Sequence, residues 1–200
     1  MKRRTKLLPS LWHGVLLSSL ALAQIPAEDL QKITKALPEQ ATARPKQPRQ
    51  LLIFTRAEGY KHSSIPYAAK ALELMGKQTG AFTAVPREDL GAFAPENLGQ
   101  FDAVLLISTS ALAFDDLALR QSLMAFVKSR KGIAGLHAAT DNFYNWPEAA
   151  DMMGGYFEGH PWHANGTWAV KIVDPPHPLT AAFHGKGFQI LEPCDFAALS

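Results

Sequence analysis

The sequence predicts an α/β protein with three layers, in which a mostly parallel sheet carries helices on both faces. Short apolar runs of strand length alternate along the chain with segments whose apolar residues recur at helical spacing. Such alternation is typical of parallel strands joined by crossover helices, which cover both faces of the sheet. The 200 residues, 47% hydrophobic and 19% charged, are enough for one domain with a sizeable core.

The first 23 residues are predicted to be a secretory signal peptide. Four basic residues precede a mostly apolar run over residues 7–22, and small residues around position 23 suit cleavage. The apolar run is too short, and too often interrupted by polar residues and proline, for a typical membrane span. An uncleaved N-terminal anchor is therefore the less favoured alternative. We therefore expect a periplasmic or extracellular protein with no stable membrane span after cleavage.

The charge balance argues against a nucleic-acid partner. Residues 1–23 hold four basic and no acidic residues, so the remainder has 16 Lys and Arg against 18 Asp and Glu. A weakly acidic chain without a basic patch is not typical of nucleic-acid binders. Cys194, the one cysteine, has no partner in the sequence for an internal disulfide.

The predicted elements follow one another from residue 50 onward. Residues 24–49 contain four prolines and one weak helical run, and we expect a mostly flexible linker before a domain over residues 50–200. Strands are predicted at residues 50–55, 82–85, 101–108, 132–136 and 168–173. Helices are predicted at residues 65–76 and after Asp115 and Asp116, which suit a helix start. Residues 132–136 are expected to be buried.

Two histidines follow predicted strands. Ligands of open parallel sheets bind beyond the carboxyl ends of the strands. His62 comes after the first strand, and His137 arrives where the strand over residues 132–136 stops. Because the imidazole pKa lies near neutrality, a histidine held there is a good general acid or base. The competing interpretation is a histidine that only hydrogen-bonds its neighbours in a loop.

Further histidines and tryptophans are candidates for substrate binding. His160 and His163 flank Trp162 in a Gly-His-Pro-Trp-His segment, and His177 lies in a Pro-rich turn. The flat rings of Trp146 and Trp162 suit stacking on sugars. For any one of these aromatic residues, core packing or loop anchoring is the competing interpretation.

No metal or other cofactor is predicted. The His160 and His163 spacing suits zinc only weakly, because Pro161 breaks any helix that would align the rings and no Cys pair is present. The glycines over residues 132–135 and 154–155 match neither a dinucleotide nor a phosphate-binding motif. A Gly-x-Ser-x-Gly elbow is also missing, so a serine hydrolase is not supported.

Taken together, these motifs resemble the ThuA-like (trehalose utilisation) family. The matching segments are Gly-Tyr-Lys-His-Ser-Ser-Ile at 59–65, Gly-Ile-Ala-Gly-Leu-His-Ala at 132–138, Trp146, Gly-Gly-Tyr-Phe-Glu-Gly-His-Pro at 154–161 and His-Pro-Leu-Thr at 177–180. The resemblance covers roughly residues 50–190 and implies the flavodoxin-like fold of class I glutamine amidotransferases. Those enzymes carry a cysteine at the sharp turn where this chain has His137, so glutamine hydrolysis is not implied.

The resemblance weakens towards the end of the sequence. Relatives usually continue past the His-Pro-Leu-Thr segment into an acidic and aromatic stretch and further strands. This chain instead reads Phe-Gln-Ile-Leu-Glu-Pro-Cys-Asp over residues 188–195 and stops at Ser200. We expect a domain truncated at its C-terminal end, with an exposed sheet edge as a consequence.

The favoured function is an exported carbohydrate-active hydrolase or isomerase that acts on a sugar or keto-sugar. His137 would be the acid/base, while His62 and His160 would orient hydroxyls or stabilise charge. Trp146 and Trp162 would form a ring platform, and His163 and His177 would complete the substrate pocket. The family association with sugar oxidation implies an oxidoreductase of the same pathway as a partner.

Two other functions stay open at this level. A non-catalytic module would use the same histidines and tryptophans to bind a small carbohydrate without changing it. A zinc-dependent hydrolase would use His160 and His163 with either His137 or His62 as ligands.

Overall fold

The computed structural model describes residues 25–159 and 166–191, which fall into two compact units. The first unit extends to Tyr156 and the second begins at Phe157. The predicted signal peptide lies outside the described residues, and so do His160, Trp162 and His163. No helix within the described ranges is long and apolar enough to cross a membrane.

The first unit is built on a four-stranded parallel sheet. Its strands are β1 (Gln50–Phe54), β2 (Thr83–Arg87), β3 (Ala103–Ile107) and β4 (Gly132–Leu136). They are arranged in the order β2-β1-β3-β4, and every neighbouring pair is parallel. This is the flavodoxin-like order, in which a crevice opens at the carboxyl ends between β1 and β3. The predicted fold class is therefore confirmed.

Helices cover both faces of this sheet. They are α1 (Ala27–Ala36), α2 (Ile65–Thr79), α3 (Pro95–Leu98), α4 (Leu117–Lys128) and α5 (Pro147–Met153). Alternate residues of β1 point to opposite faces: Leu52 and Phe54 share a core cluster with Leu123 of α4, and Ile53 shares another with Ile65 of α2. The predicted start of α4 is confirmed, since the Asp116 carboxylate accepts a hydrogen bond from the backbone N–H of Ala118.

A helix lies inside the segment predicted to be a linker. Helix α1 coincides with the weak helical run and has no buried residue. The Tyr67 hydroxyl of α2 donates to Asp29 of α1 at 3.3 Å, and the Gln78 side chain donates to the Pro38 carbonyl at 2.9 Å. These bonds tie the segment to α2, while the division of the chain at residues 23 and 49 stays a prediction.

Strand β4 is not buried, contrary to the expectation for residues 132–136. It pairs with β3 from Gly132 to Leu136 and, within the described residues, has no strand on its other side. Because it forms the edge of the four-stranded sheet, most of its residues are exposed, and Leu136 is 42% exposed. Position at the sheet edge, rather than apolar composition, decides its burial.

The second unit contains an antiparallel pair of strands. Strand β5 (Thr167–Val170) pairs with β6 (Phe188–Leu191), so the strand predicted at residues 168–173 exists but ends three residues early. The rings of Phe183 and Phe188 stack within this unit, with centroids 5.1 Å apart. The architecture as a whole is thus mostly parallel, as predicted.

Candidate active site

His62 and His137 meet at the carboxyl ends of the parallel strands. Their ring centroids are 4.5 Å apart and the ring planes are inclined by 84°, so the edge of one ring faces the other. Ser108 follows β3 directly, and its Oγ lies 3.3 Å from His137 Nδ1. Three adjacent strands, β1, β3 and β4, therefore each deliver one polar side chain to the same site.

The loop after β1 has to cross β3 for His62 to reach His137. Two backbone N–H groups, those of Glu58 and Gly59, donate to the Ser110 carbonyl at 2.9 Å each and hold the loop against the segment after β3. A Cβ at position 59 would lie 2.9 Å from the Ala111 Cβ, closer than such atoms approach. Gly59 is therefore required for the close crossing.

His137 occupies a sharp turn between β4 and the short 3₁₀ helix Ala138–Thr140. Its backbone has φ 55° and ψ −115°, which residues other than glycine rarely adopt. Small residues at positions 135 and 139 make the turn possible, since a Cβ on Gly135 would lie 2.7 Å from the Ala139 Cβ. This is the geometry of a nucleophile elbow, which projects one side chain from the top of the sheet. His137 is accordingly exposed, although it ends a strand.

Gly135→Ala is expected to destabilise the protein by roughly 1–3 kcal/mol, because the added methyl group overpacks the elbow. It would meet Ala139 at 2.7 Å and the flexible Met153 side chain at 2.9 Å. Gly99→Ala is the matched control, since its Cβ would meet only the Pro95 carbonyl at 3.3 Å, in ordinary helical backbone. Denaturant unfolding of both variants tests this, and wild-type stability in Gly135→Ala would contradict it.

His62 is held between two aromatic neighbours and is only 9% exposed. The Tyr60 ring lies edge-on at 4.6 Å on one side, and His137 lies on the other. Burial lowers the pKa of His62 below its usual 6.5 and the charge that His137 can carry lowers it further, while Asp141 acts in the opposite direction. His62 is therefore neutral at neutral pH and can accept a proton.

The stability of the fold is expected to decrease as the pH falls below about 6.5. The lowered pKa means that the unfolded chain binds a proton that native His62 resists, so acid favours unfolding. His62→Gln cannot titrate and should lose less thermal stability between about pH 7.5 and about pH 5.5. His184→Gln, in an exposed turn of the second unit, is the control. Equal pH dependence in wild type and His62→Gln would contradict the assignment.

Residues that the sequence analysis did not single out lie immediately after the elbow. Asp141 follows the 3₁₀ helix, and its carboxylate accepts a 2.6 Å hydrogen bond from the Tyr144 hydroxyl. Desolvation, together with this hydrogen bond, raises the pKa of Tyr144 to about 12, so the phenol stays protonated. The available signal was an acidic residue and a tyrosine within seven residues of a strand-end histidine.

Trp146 lies in the core. The prediction that its ring forms a platform for a sugar is therefore wrong. Trp146 is 4% exposed and packs against Phe143 and Phe114, with centroids at 5.3 and 6.1 Å. The Arg120 guanidinium lies over the same ring at 5.7 Å. Because protein groups cover both the ring and its edge, core packing is the role that the structure assigns to Trp146.

The remaining predicted residues are not brought together with the histidine pair by any described contact. His177 belongs to the second unit, where its Nδ1 accepts a hydrogen bond from the backbone N–H of Leu179 at 3.1 Å. His160, Trp162 and His163 lie outside the described residues, so their roles stay predictions. Within residues 25–159 and 166–191, no group of three or more His, Cys, Asp or Glu side chains is arranged to hold a metal.

The sheet order and the elbow define the class of protein. It is an α/β protein with a flavodoxin-like parallel sheet and a histidine at the sharp turn after β4. Comparison with protein families matches residues 50–192 to the family ThuA, described as trehalose utilisation. The chain belongs to the ThuA family.

A solved structure supports the fold. The chain is similar to a ThuA-like protein from Bacteroides uniformis ATCC 8492, with a TM-score of 0.58 and 20% sequence identity. The similarity covers 76% of this chain and 62% of that protein, so the chain spans less than two thirds of its relative. A search of curated proteins gave no match.

Proposed function

We propose that this protein is an enzyme that acts on a sugar or keto-sugar, with the His62–His137 pair as its acid/base group. The contact of the two rings at 4.5 Å, at the rim of the sheet, is the observation that carries the proposal. A small carbohydrate is the proposed ligand because the family is described by trehalose utilisation.

The pair works with one proton at a time. Two imidazolium charges at this separation repel each other, and burial already disfavours the charge on His62. His137, exposed on the elbow, takes a proton from the substrate or returns it. Ser108 orients the His137 ring through its contact with Nδ1, and the Asp141 carboxylate favours a positive charge near His62.

A keto-sugar suits this chemistry well. A carbonyl group acidifies the hydrogen on the neighbouring carbon, so a neutral imidazole can remove that hydrogen as a proton. If the proton returns to a different atom of the resulting enolate, the sugar is isomerised. If the enolate instead expels a group from the next carbon atom, the bond to that group is cleaved. An oxidoreductase that forms the keto group is accordingly the proposed partner.

Deuterium exchange tests the proposed reaction. The protein is incubated in D₂O with trehalose, glucose and an oxidised keto form of each, and the sugars are followed by proton NMR. We expect loss of the signal of the hydrogen beside the carbonyl, or the appearance of an isomerised or cleaved product. Sugar binding with neither exchange nor product would instead identify a non-catalytic sugar-binding module.

We also propose that the protein is exported. Residues 1–23 support this by their basic start, apolar run and small residues near Ala23. Expression of the full chain should yield a periplasmic protein whose N-terminus, by mass spectrometry, is Gln24. Retention of residues 1–23 on a membrane-bound product would favour an uncleaved anchor.

A further inference from the structure

Two exposed tyrosine rings contact each other across α5: Tyr144 precedes this helix and Tyr156 follows it. Tyr144 is 52% exposed and Tyr156 is 38% exposed. Their centroids are 5.4 Å apart and their planes are inclined by only 33°. We call these two residues the tyrosine pair. At this distance the two rings contact each other, and their exposed parts offer an aromatic surface on which the apolar face of a ligand can pack.

Hydrogen bonds of both hydroxyl groups fix the orientation of the tyrosine pair. The Tyr156 hydroxyl donates to the carbonyl oxygens of Trp146 at 2.8 Å and Phe143 at 3.2 Å, and the Tyr144 hydroxyl donates to Asp141. Phe143 has φ 55° and a buried ring, so the chain turns sharply just before Tyr144. A prearranged aromatic surface loses little conformational entropy when a ligand binds.

Asp141 links the tyrosine pair to the histidines. Its carboxylate accepts the hydrogen bond of Tyr144 and acts on the charge of His62. Its backbone carbonyl accepts a 2.6 Å hydrogen bond from the backbone N–H of Ala111, in the segment after β3 that begins with Ser108. Only the 3₁₀ helix Ala138–Thr140 separates Asp141 from His137 along the chain. A ligand on the tyrosine pair would therefore lie beside the proposed acid/base group.

We propose that Tyr144 and Tyr156 form the surface on which a sugar ring stacks, and that Asp141 accepts a hydrogen bond from one of its hydroxyls. The inference rests on the proposed function, because that proposal makes a small carbohydrate the expected ligand. The C–H face of a pyranose would cover the rings, while its hydroxyls would reach the carboxylate, which has acceptor sites beyond the one that Tyr144 uses. The tyrosine pair thus takes the role that the sequence suggested for Trp146.

The chain offers a direct test because it has only four tyrosines. Ring-labelled tyrosine is incorporated, and the four signals, assigned with single Tyr→Phe variants, are followed by NMR during titration with trehalose, glucose and their keto forms. We expect Tyr144 and Tyr156 to shift and the sugar protons to move upfield. Tyr67, hydrogen-bonded to Asp29, is the internal control and should not respond.

Affinity measurements on variants complete the test. Tyr144→Ala should weaken sugar binding by roughly two- to tenfold, whereas Tyr144→Phe, which keeps the ring, should retain most of the affinity. Tyr67→Phe should bind as wild type does. Equal affinity of Tyr144→Ala and wild type would overturn the inference.

The outcomes separate this inference from the proposed function. Shifts of Tyr60 alone would place the sugar against His62 and overturn the stacking role, leaving the proposed chemistry intact. Shifts of Tyr144 and Tyr156 in a protein whose turnover does not need His137 would support the stacking surface and contradict the proposed chemistry. No shift of any tyrosine with any of these sugars would overturn both.

Discussion

His137→Ala is expected to lower kcat by roughly 10²–10⁴-fold, the range that one well-placed general acid or base contributes. The side chain projects from the elbow and makes its described contacts with His62 and Ser108, so its removal deletes the proposed proton carrier. Sugar affinity should change little, because the proposed stacking surface is separate. Steady-state kinetics on the sugar identified by deuterium exchange measure both quantities.

His137→Gly controls for damage to the fold. Glycine adopts positive φ without strain, so this variant should be more stable than His137→Ala by about 1 kcal/mol. Inside helix α4, by contrast, Ala125→Gly should lower the free energy of unfolding by about 1 kcal/mol. Full turnover in either His137 variant would contradict the proposed role.

Trp146→Ala is expected to destabilise the protein by about 3–5 kcal/mol, as for other large aromatic residues removed from a core. The indole is 4% exposed and contacts two buried phenylalanines, so its loss leaves a cavity. Leu117→Ala, at an exposed position of α4, should change the stability by no more than about 0.5 kcal/mol. Denaturant unfolding at one pH compares the variants.

The opposite result for Trp146→Ala would support a role of Trp146 in sugar stacking. A small loss of stability combined with a large loss of sugar affinity would mean that the indole contacts the ligand. The unfolding and binding measurements on the same purified variant therefore decide between core packing and stacking.

The sequence predicted the elements because local signals decide them. The apolar run of β1 and the carboxylate at Asp116 act over a few residues, and both predictions are confirmed. The exposure of β4 depends on which strands pair beside it, and this information is distributed over the whole chain. An apolar run of five residues looks the same at the edge of a sheet and at its centre.

The site was predicted only in part, for a similar reason. The ends of predicted strands indicated His62 and His137, but their contact requires a loop that crosses β3 on the Ser110 carbonyl. The burial of Trp146 goes together with the sharp turn at Phe143. At this turn Phe143 is buried, whereas the next residue, Tyr144, is exposed. Side-chain type alone does not distinguish these two outcomes.

A double-mutant cycle on kcat tests most directly whether the two histidines act as one acid/base group. The cycle compares His62→Gln, His137→Ala and the double variant, all at the same pH and with the same sugar. If both residues serve a single proton transfer, the double variant should be no slower than the poorer single variant, within about threefold. Two losses that multiply in the double variant would show that the residues act independently and would contradict the account.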